Sequence, residues 1–477
     1  MKRNLFSKVF MTMTATAVMG LASCSNDNDP TGGQELPQGK ATGMQLVLDL
    51  GSAATRAIND PNADATETGI KNLHVFIYGA NGVFEKEHEI AFANLTDAGE
   101  NKYKTGELKA TTGAKTIYVG ANMTQGMIGI MKSTSVNGLS GKGVNTLLAD
   151  ITKDNEFVMF STEGSTPTLI EDTDADVTVV PTENQVTVTL QRLAAKIAVG
   201  MTAQLNAADG TQLGAAGTID NLGYVVDNIN KMYYLTYGGV AAAAKDANMT
   251  VDQYKEADFE IKDYYDVQNP TTPTALQYGM ITPGTTDKTA WAIDYASENL
   301  TQDKMMKGVT RIVVKGTFTP ESGYKVEQDA QNPGKHTFTL TNAHIAANAT
   351  YHLLDFPEAG GYAFFDNATT DDQLKEFMAL KKGVDVTAVD DVMLQAAKKT
   401  YINGLNYWWV TVKDNQGDVL RNHYYQVNVT SIWAPGRTDG KFDPNKDDNK
   451  IDKETNITVE VTVEPWNMVA FDADLRP

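Results

Sequence analysis

An all-β fold with a few helical insertions is what this sequence predicts, and three observations carry that reading. Short runs in which Val, Ile, Tyr and Thr alternate with polar residues recur along the chain, the period of half-buried strands. Gly, Asn and Asp clusters break these runs at close intervals, as tight turns require. A hydrophobic content of 42% with 21% charged residues is that of a chain with a buried core, and 477 residues are enough for more than one. The net charge of −20 argues against nucleic acid or an anionic membrane surface as partner, since both reward clustered Lys and Arg.

The chain opens with a leader. Lys2, Arg3 and Lys8 precede an apolar or small-residue run from Val9 to Gly20, the length of a signal-peptide core and too short to span a bilayer. It ends in Leu21-Ala22-Ser23-Cys24, which resembles the lipobox of bacterial lipoproteins, whose cysteine thiol takes the diacylglycerol. Cys24 is the single cysteine of the chain, so no internal disulfide and no cysteine metal cluster is expected. Ser25 to Thr42 is rich in Asn, Asp, Gly, Pro and Gln and reads as a flexible tether.

The first strand follows. Met44, Leu46, Leu48 and Leu50 point to one face, with Gln45 and Asp49 on the other. A small-residue loop, Gly51 to Ala57, then carries Arg56, an isolated arginine that reads as a protease target or as a surface residue with no role. From Ile70 to Thr202 the pattern is one of short strands and turns, that of a sandwich. Val177–Val180 and Val186–Leu190 flank Pro181-Thr182-Glu183-Asn184 as a hairpin. Helical insertions are expected at Gly239–Lys262 and Thr370–Tyr401, where Leu374, Phe377, Met378 and Leu380 keep an approximate helical period.

The last strand mirrors the first. Ile457, Val459, Val461 and Val463 alternate with Thr458, Glu460 and Thr462, and Glu464-Pro465-Trp466 interrupts. Just before it, Asp443, Asn445, Asp447 and Glu454 have oxygen-ligand spacing for calcium, but Asp448 stands where the loop wants glycine, so an acidic linker is the preferred reading. No catalytic pattern emerges. The six histidines form no His-x-x-x-His pair, Gly138 to Gly143 lacks phosphate-loop spacing, and no Gly-x-Ser-x-Gly elbow occurs. No enzyme and no cofactor are expected. Trp408, Trp409 and Trp433, which could face a glycan if exposed, lie in strand-like runs and are expected to be buried.

In order along the chain, the lipobox, the tether, the first strand, Thr55-Arg56-Ala57, Ile70–Tyr78, Lys115–Asn122 with its Ala-Asn pair, Val186–Val199, Arg421–Tyr425 and the closing Val461–Trp466 resemble the Bacteroidetes fimbrillins of type V pili. The resemblance is nearest to the branch of major subunits of the minor (short) fimbria. It implies two tandem transthyretin-like β-sandwich domains, here 57–192 and 193–456, after a signal peptide (1–23) and a lipidated propeptide (24–56), with a donor segment at 457–477. It also implies acylation at Cys24 at the outer membrane and cleavage between Arg56 and Ala57 by an arginine-specific protease. The strand bearing Met44, Leu46, Leu48 and Leu50 is then displaced by a neighbour's Ile457, Val459, Val461, Val463 and Trp466. Implied partners are further copies of the chain, anchor and tip subunits, and host or bacterial surface receptors. A tip or accessory adhesin, or a glycan-binding surface lipoprotein, are the alternatives. Arg437, in a turn before the last strand, also looks exposed, and cutting there would remove that strand.

Overall fold

Alternation sorts most strands of the N-terminal half into two five-stranded sheets. In one, Ala41–Asp49 runs between Gln185–Thr189 on one side and Lys102–Lys104 and Leu108–Thr111 on the other, with Thr96–Gly99 at the edge. In the second, the order is Gln191–Arg192, Met159–Phe160, Thr116–Ala121, Asn72–Tyr78, Phe84–Ala91. Their apolar faces meet in one core, Met44, Leu46 and Leu48 from the first sheet lying with Val75, Ile77 and Val119 from the second. The computed structural model describes residues 39–49, 65–99, 102–140, 142–161, 163–172, 180–202, 217–227, 229–230, 232–236, 259–260, 279–299, 309–359, 361–412, 419–432, 434–439 and 457–465; every absence stated below concerns these residues.

The run from Gln185 to Gly200 serves three sheets in turn. Gln185–Thr189 pairs with Ala41–Asp49, Gln191–Arg192 with Met159–Phe160, and Ala194–Gly200 enters the C-terminal half between Ala292–Ser297 and His423–Ile432. Ile457–Pro465 closes that last sheet at its edge, antiparallel to His423–Ile432. Facing it in sequence, Gly217–Asp227, Arg311–Pro320 and Leu405–Thr411 form a second antiparallel sheet. A further five-stranded sheet, from Ser322–Gln328 to Lys398–Tyr401, has its own core: Leu354 and Phe365 pack with Leu374, Phe377 and Leu394 from two helices, Asp371–Lys382 and Asp391–Ala397. The chain is mainly β with few helices, the fold class its sequence predicts.

Several local expectations need correction. The Ile70–Thr202 stretch is interrupted by helices Gln125–Ser133, Val136–Leu139 and Leu148–Ile151. The first buries Met127, Ile128 and Met131, at helical spacing, and Thr124 caps it. Within Gly239–Lys262, Phe259–Glu260 is a strand paired with Ile229–Asn230, in keeping with the apolar-polar alternation from Phe259 to Lys262; the rest of that stretch lies outside the described residues. Thr370 does start a helix, through a reciprocal cap with Gln373, and Gly383 ends it in the left-handed conformation at φ 67°. Its partner helix stops at Ala397, and Lys398–Tyr401 is a strand. Of the expected hairpin, Thr182–Asn184 is a short 3-10 turn leading into a strand parallel to Ala41–Asp49, and 177–179 of the other arm lie outside the described residues.

Candidate functional site

The leading strand, Ala41–Asp49, is held on both edges. Leu46 and Leu48 stand opposite Val186 and Val188 in the parallel pairing, and Leu48 stands opposite Tyr103 in the antiparallel one. Met44, Leu46 and Leu48 are fully buried, as their alternation predicts. Burial of three such side chains contributes about 1.5–3 kcal/mol each. Leu50 lies outside the described residues.

Side chains reinforce this pairing at its main chain. Thr105 uses its hydroxyl as acceptor for the Leu46 N–H at 3.0 Å, and its own N–H donates to the Leu46 carbonyl at 3.1 Å. The Gln45 amide donates to the Thr105 carbonyl at 2.8 Å. Asn184 is fully buried. Its Nδ2 donates to the Gly43 carbonyl at 2.8 Å, the Ile170 carbonyl at 3.0 Å and the Thr42 hydroxyl at 3.2 Å, while its Oδ1 accepts from the Ile170 N–H at 2.9 Å. One amide thus ties the start of the leading strand to two other segments. In the sequence Asn184 reads only as a turn residue, because the leading strand it holds lies more than a hundred residues away.

Beyond the leading strand, the chain is anchored again at Glu67. Its carboxylate accepts from Lys196 Nζ at 2.9 and 3.0 Å and from the Tyr295 hydroxyl at 2.7 Å. Its carbonyl accepts from Arg192 Nε at 3.1 Å. Glu67, Lys196 and Arg192 are all buried, and burial pulls the Arg192 guanidinium down to about 10, opposed by the Glu67 charge. It therefore stays charged at neutral pH. Sequence reasoning missed this cluster, whose members are remote in the chain. Two asparagines nearby take the left-handed conformation. Asn122, at φ 54°, donates to the Gly69 and Phe157 carbonyls at 2.8 and 3.0 Å; Asn422, at φ 57°, accepts from the Arg192 N–H at 3.2 Å.

Among the described residues, the tail strand, Ile457–Pro465, pairs with one strand. Val461 stands opposite Val427 and Val463 opposite Tyr425, with a bulge between Val429 and Ser431. Val459 is half-buried against the main core. Trp466, Cys24, Arg56, Ala57 and the calcium quartet Asp443, Asn445, Asp447 and Glu454 lie outside the described residues; among the described residues, no group of three or more potential metal ligands is found. Trp408 and Trp409 are buried, as expected, and Trp408 Nε1 donates to the Ala434 carbonyl at 3.0 Å; Trp433 lies outside the described residues. No described helix is long and apolar enough to cross a membrane.

Sequence families place this architecture. The family described as "Major fimbrial subunit protein (FimA)" matches residues 43–209, and "Major fimbrial subunit protein type IV, Fimbrillin, C-terminal" matches residues 399–472. The first match takes in the leading strand and the second the tail strand, and together they span about half of the chain. No curated protein sequence matches. Among solved structures, a fimbrilin (FimA) from Porphyromonas gingivalis W83 is 14% identical with a TM-score of 0.44, over 90% of this chain and 98% of its own. The tip fimbrial protein Mfa3 from Porphyromonas gingivalis, with a C-terminal truncation, is 13% identical with a TM-score of 0.35, over 89% and 100%. A candidate cell adhesion protein from Parabacteroides distasonis ATCC 8503 is 14% identical with a TM-score of 0.49, over 90% and 100%. On the two family matches, the chain belongs to the fimbrillin family of major fimbrial subunits, which are structural proteins and not enzymes.

Proposed function

We propose that this chain is the polymerising shaft subunit of a cell-surface fimbria, exported as a lipoprotein precursor acylated at Cys24. Cleavage between Arg56 and Ala57 by an arginine-specific protease separates the leading strand from the remainder, and the tail of a neighbouring copy takes its place. The observation that carries this reading is the contrast in pairing: the leading strand fills a slot between strands, whereas the tail strand, among the described residues, sits at a sheet edge with a single partner. Vacating the slot exposes the side chains packed on Met44, Leu46 and Leu48 and two rows of unpaired main-chain groups, which an added strand would satisfy. Glu67 keeps the new N-terminal segment fixed to the fold ten residues after the cut.

On this reading the chain divides into sandwich domains at about residue 192, assembles with anchor and tip subunits, and supports adhesion and biofilm formation through surface receptors. The glycan-binding alternative loses two of its three aromatic anchors, since Trp408 and Trp409 are buried. A tip subunit would need no alternating tail, and this chain has one.

The test treats the purified precursor with an arginine-specific protease and looks for a ladder resistant to SDS at low temperature. The parent chain should form the ladder. Arg56→Ala and a chain ending at Lys453 should not. Polymerisation of both variants at the parent's level would overturn the mechanism.

A further inference from the structure

The chain carries seven arginines (Arg3, Arg56, Arg192, Arg311, Arg421, Arg437 and Arg476) against 33 lysines. Four of the seven lie among the described residues, and their placement follows a rule. Arg192, Arg311 and Arg421 are buried. Arg192 reaches the Glu67 carbonyl. Arg311 donates to Asp227 through Nη2 at 2.7 Å and Nε at 3.2 Å. Arg421 donates to Glu298 through Nε at 2.8 Å and to the Tyr234 carbonyl through Nη2 at 2.7 Å. Arginine's flat fork suits such buried pairing, while lysine serves a solvated surface.

Arg437 is the exception in exposure and not in restraint. Its side chain is exposed, yet its guanidinium lies over the Trp409 ring, 4.1 Å from the centroid. Its N–H donates to the Tyr407 carbonyl at 2.7 Å and its carbonyl accepts from the Tyr407 N–H at 3.1 Å. One residue upstream, the Gly436 N–H donates to Asn406 Oδ1 at 2.9 Å and its carbonyl accepts from the Tyr401 hydroxyl at 2.8 Å. Gly436 approaches Tyr407 so closely that a Cβ there would lie 2.3 Å from the Tyr407 carbonyl oxygen. An endoprotease binds its substrate as an extended strand through these same main-chain groups, with the arginine inserted in a pocket. At Arg437 both the main chain and the guanidinium are already engaged.

We propose that the fold acts as the specificity filter of its own maturation: it withholds Arg192, Arg311, Arg421 and Arg437 from an arginine-specific protease, so that a cut after Arg56 leaves the tail strand joined to its subunit. This rests on the maturation at Arg56 argued above. The clamp on Arg437 is the part that matters most, because a cut there would detach everything from Thr438 onward, including Ile457–Pro465. Trp409, Tyr407 and Tyr401 are on this view the residues that keep the shaft subunit competent to assemble after exposure to the protease.

The test digests the folded precursor and the urea-unfolded chain with one arginine-specific protease and follows the fragments by intact mass. The unfolded chain should be cut after all four described arginines. The folded parent should be cut after Arg56 and resist cutting after Arg437 at least tenfold longer. Trp409→Ala, and separately the milder Tyr401→Phe, should raise the rate after Arg437 tenfold and a few-fold respectively, with circular dichroism showing that each remains folded. Cutting of the folded parent after Arg437 as fast as after Arg56 would overturn the filter, as would parental resistance in both folded variants. If the folded chain resists at Arg56 while the unfolded chain is cut there, the maturation reading fails and the protection of Arg437 is judged on the variants alone.

Discussion

The leading and tail strands have the same alternating pattern and opposite circumstances. Ala41–Asp49 has partners on both edges, three buried apolar side chains, and main-chain contacts from Thr105 and Asn184. Among the described residues, Ile457–Pro465 pairs with one strand, with a bulge in its register. Alternation tells which segments become strands; the number of neighbours decides how firmly each is held. The strand exchange proposed for this subunit needs this asymmetry, with a slot lined on two edges and a filler paired on one.

The largest expected effect tests the frame that both strands share. Glu67→Ala leaves Lys196 charged and buried without its carboxylate, and breaking a buried pair in this way costs about 3–5 kcal/mol. Urea unfolding should show the same loss in the precursor and in the chain trimmed after Arg56, since Glu67 lies beyond the cut. A loss confined to the precursor would mean that Glu67 belongs to the leading strand's attachment and not to the common frame.

Leu46→Ala should separate the two forms. In the precursor it removes a fully buried side chain from between two sheets, a loss of about 2–5 kcal/mol. In the trimmed monomer it should be silent, because the residue has left. Asn184→Ala comes next, at about 1–3 kcal/mol in the precursor, since the Ile170 N–H and the Gly43 carbonyl lose a buried partner. If Asn184→Ala proves silent by urea unfolding, the slot is held by strand pairing alone.

How much of this the sequence made legible depends on range. The inward face of the leading strand was readable because Met44, Leu46 and Leu48 are neighbours at period two, and burial of Trp408 and Trp409 was readable from their strand-like surroundings. Thr370 with Gln373 announces its helix within four residues. Helix Gln125–Ser133 was hidden by Gly126 and Gly129, which lower helix propensity, although Met127, Ile128 and Met131 kept the spacing. Asn184 and the Glu67–Lys196 pair were not readable at all, since their meaning depends on segments more than a hundred residues away. The polar core of the site is a product of topology, and no local pattern encodes topology.

Val459→Ala gives the smallest effect in the free subunit and the sharpest reading of the comparison. Val459 is half-buried on an edge strand, so removing two methyl groups should cost below about 1 kcal/mol in monomer unfolding. In a polymer the same side chain would sit inside a neighbour's slot, where Leu-sized residues were fully enclosed, and the missing volume would be felt at every junction. The expected outcome is an almost unchanged monomer midpoint together with a polymer ladder that dissociates in SDS at a clearly lower temperature. Equal and small effects on both would place Val459 outside the exchanged segment and move the donor to residues beyond Pro465. A large loss in the monomer would mean that the tail strand is as much a part of its own subunit as the leading strand, and the asymmetry on which exchange depends would be gone.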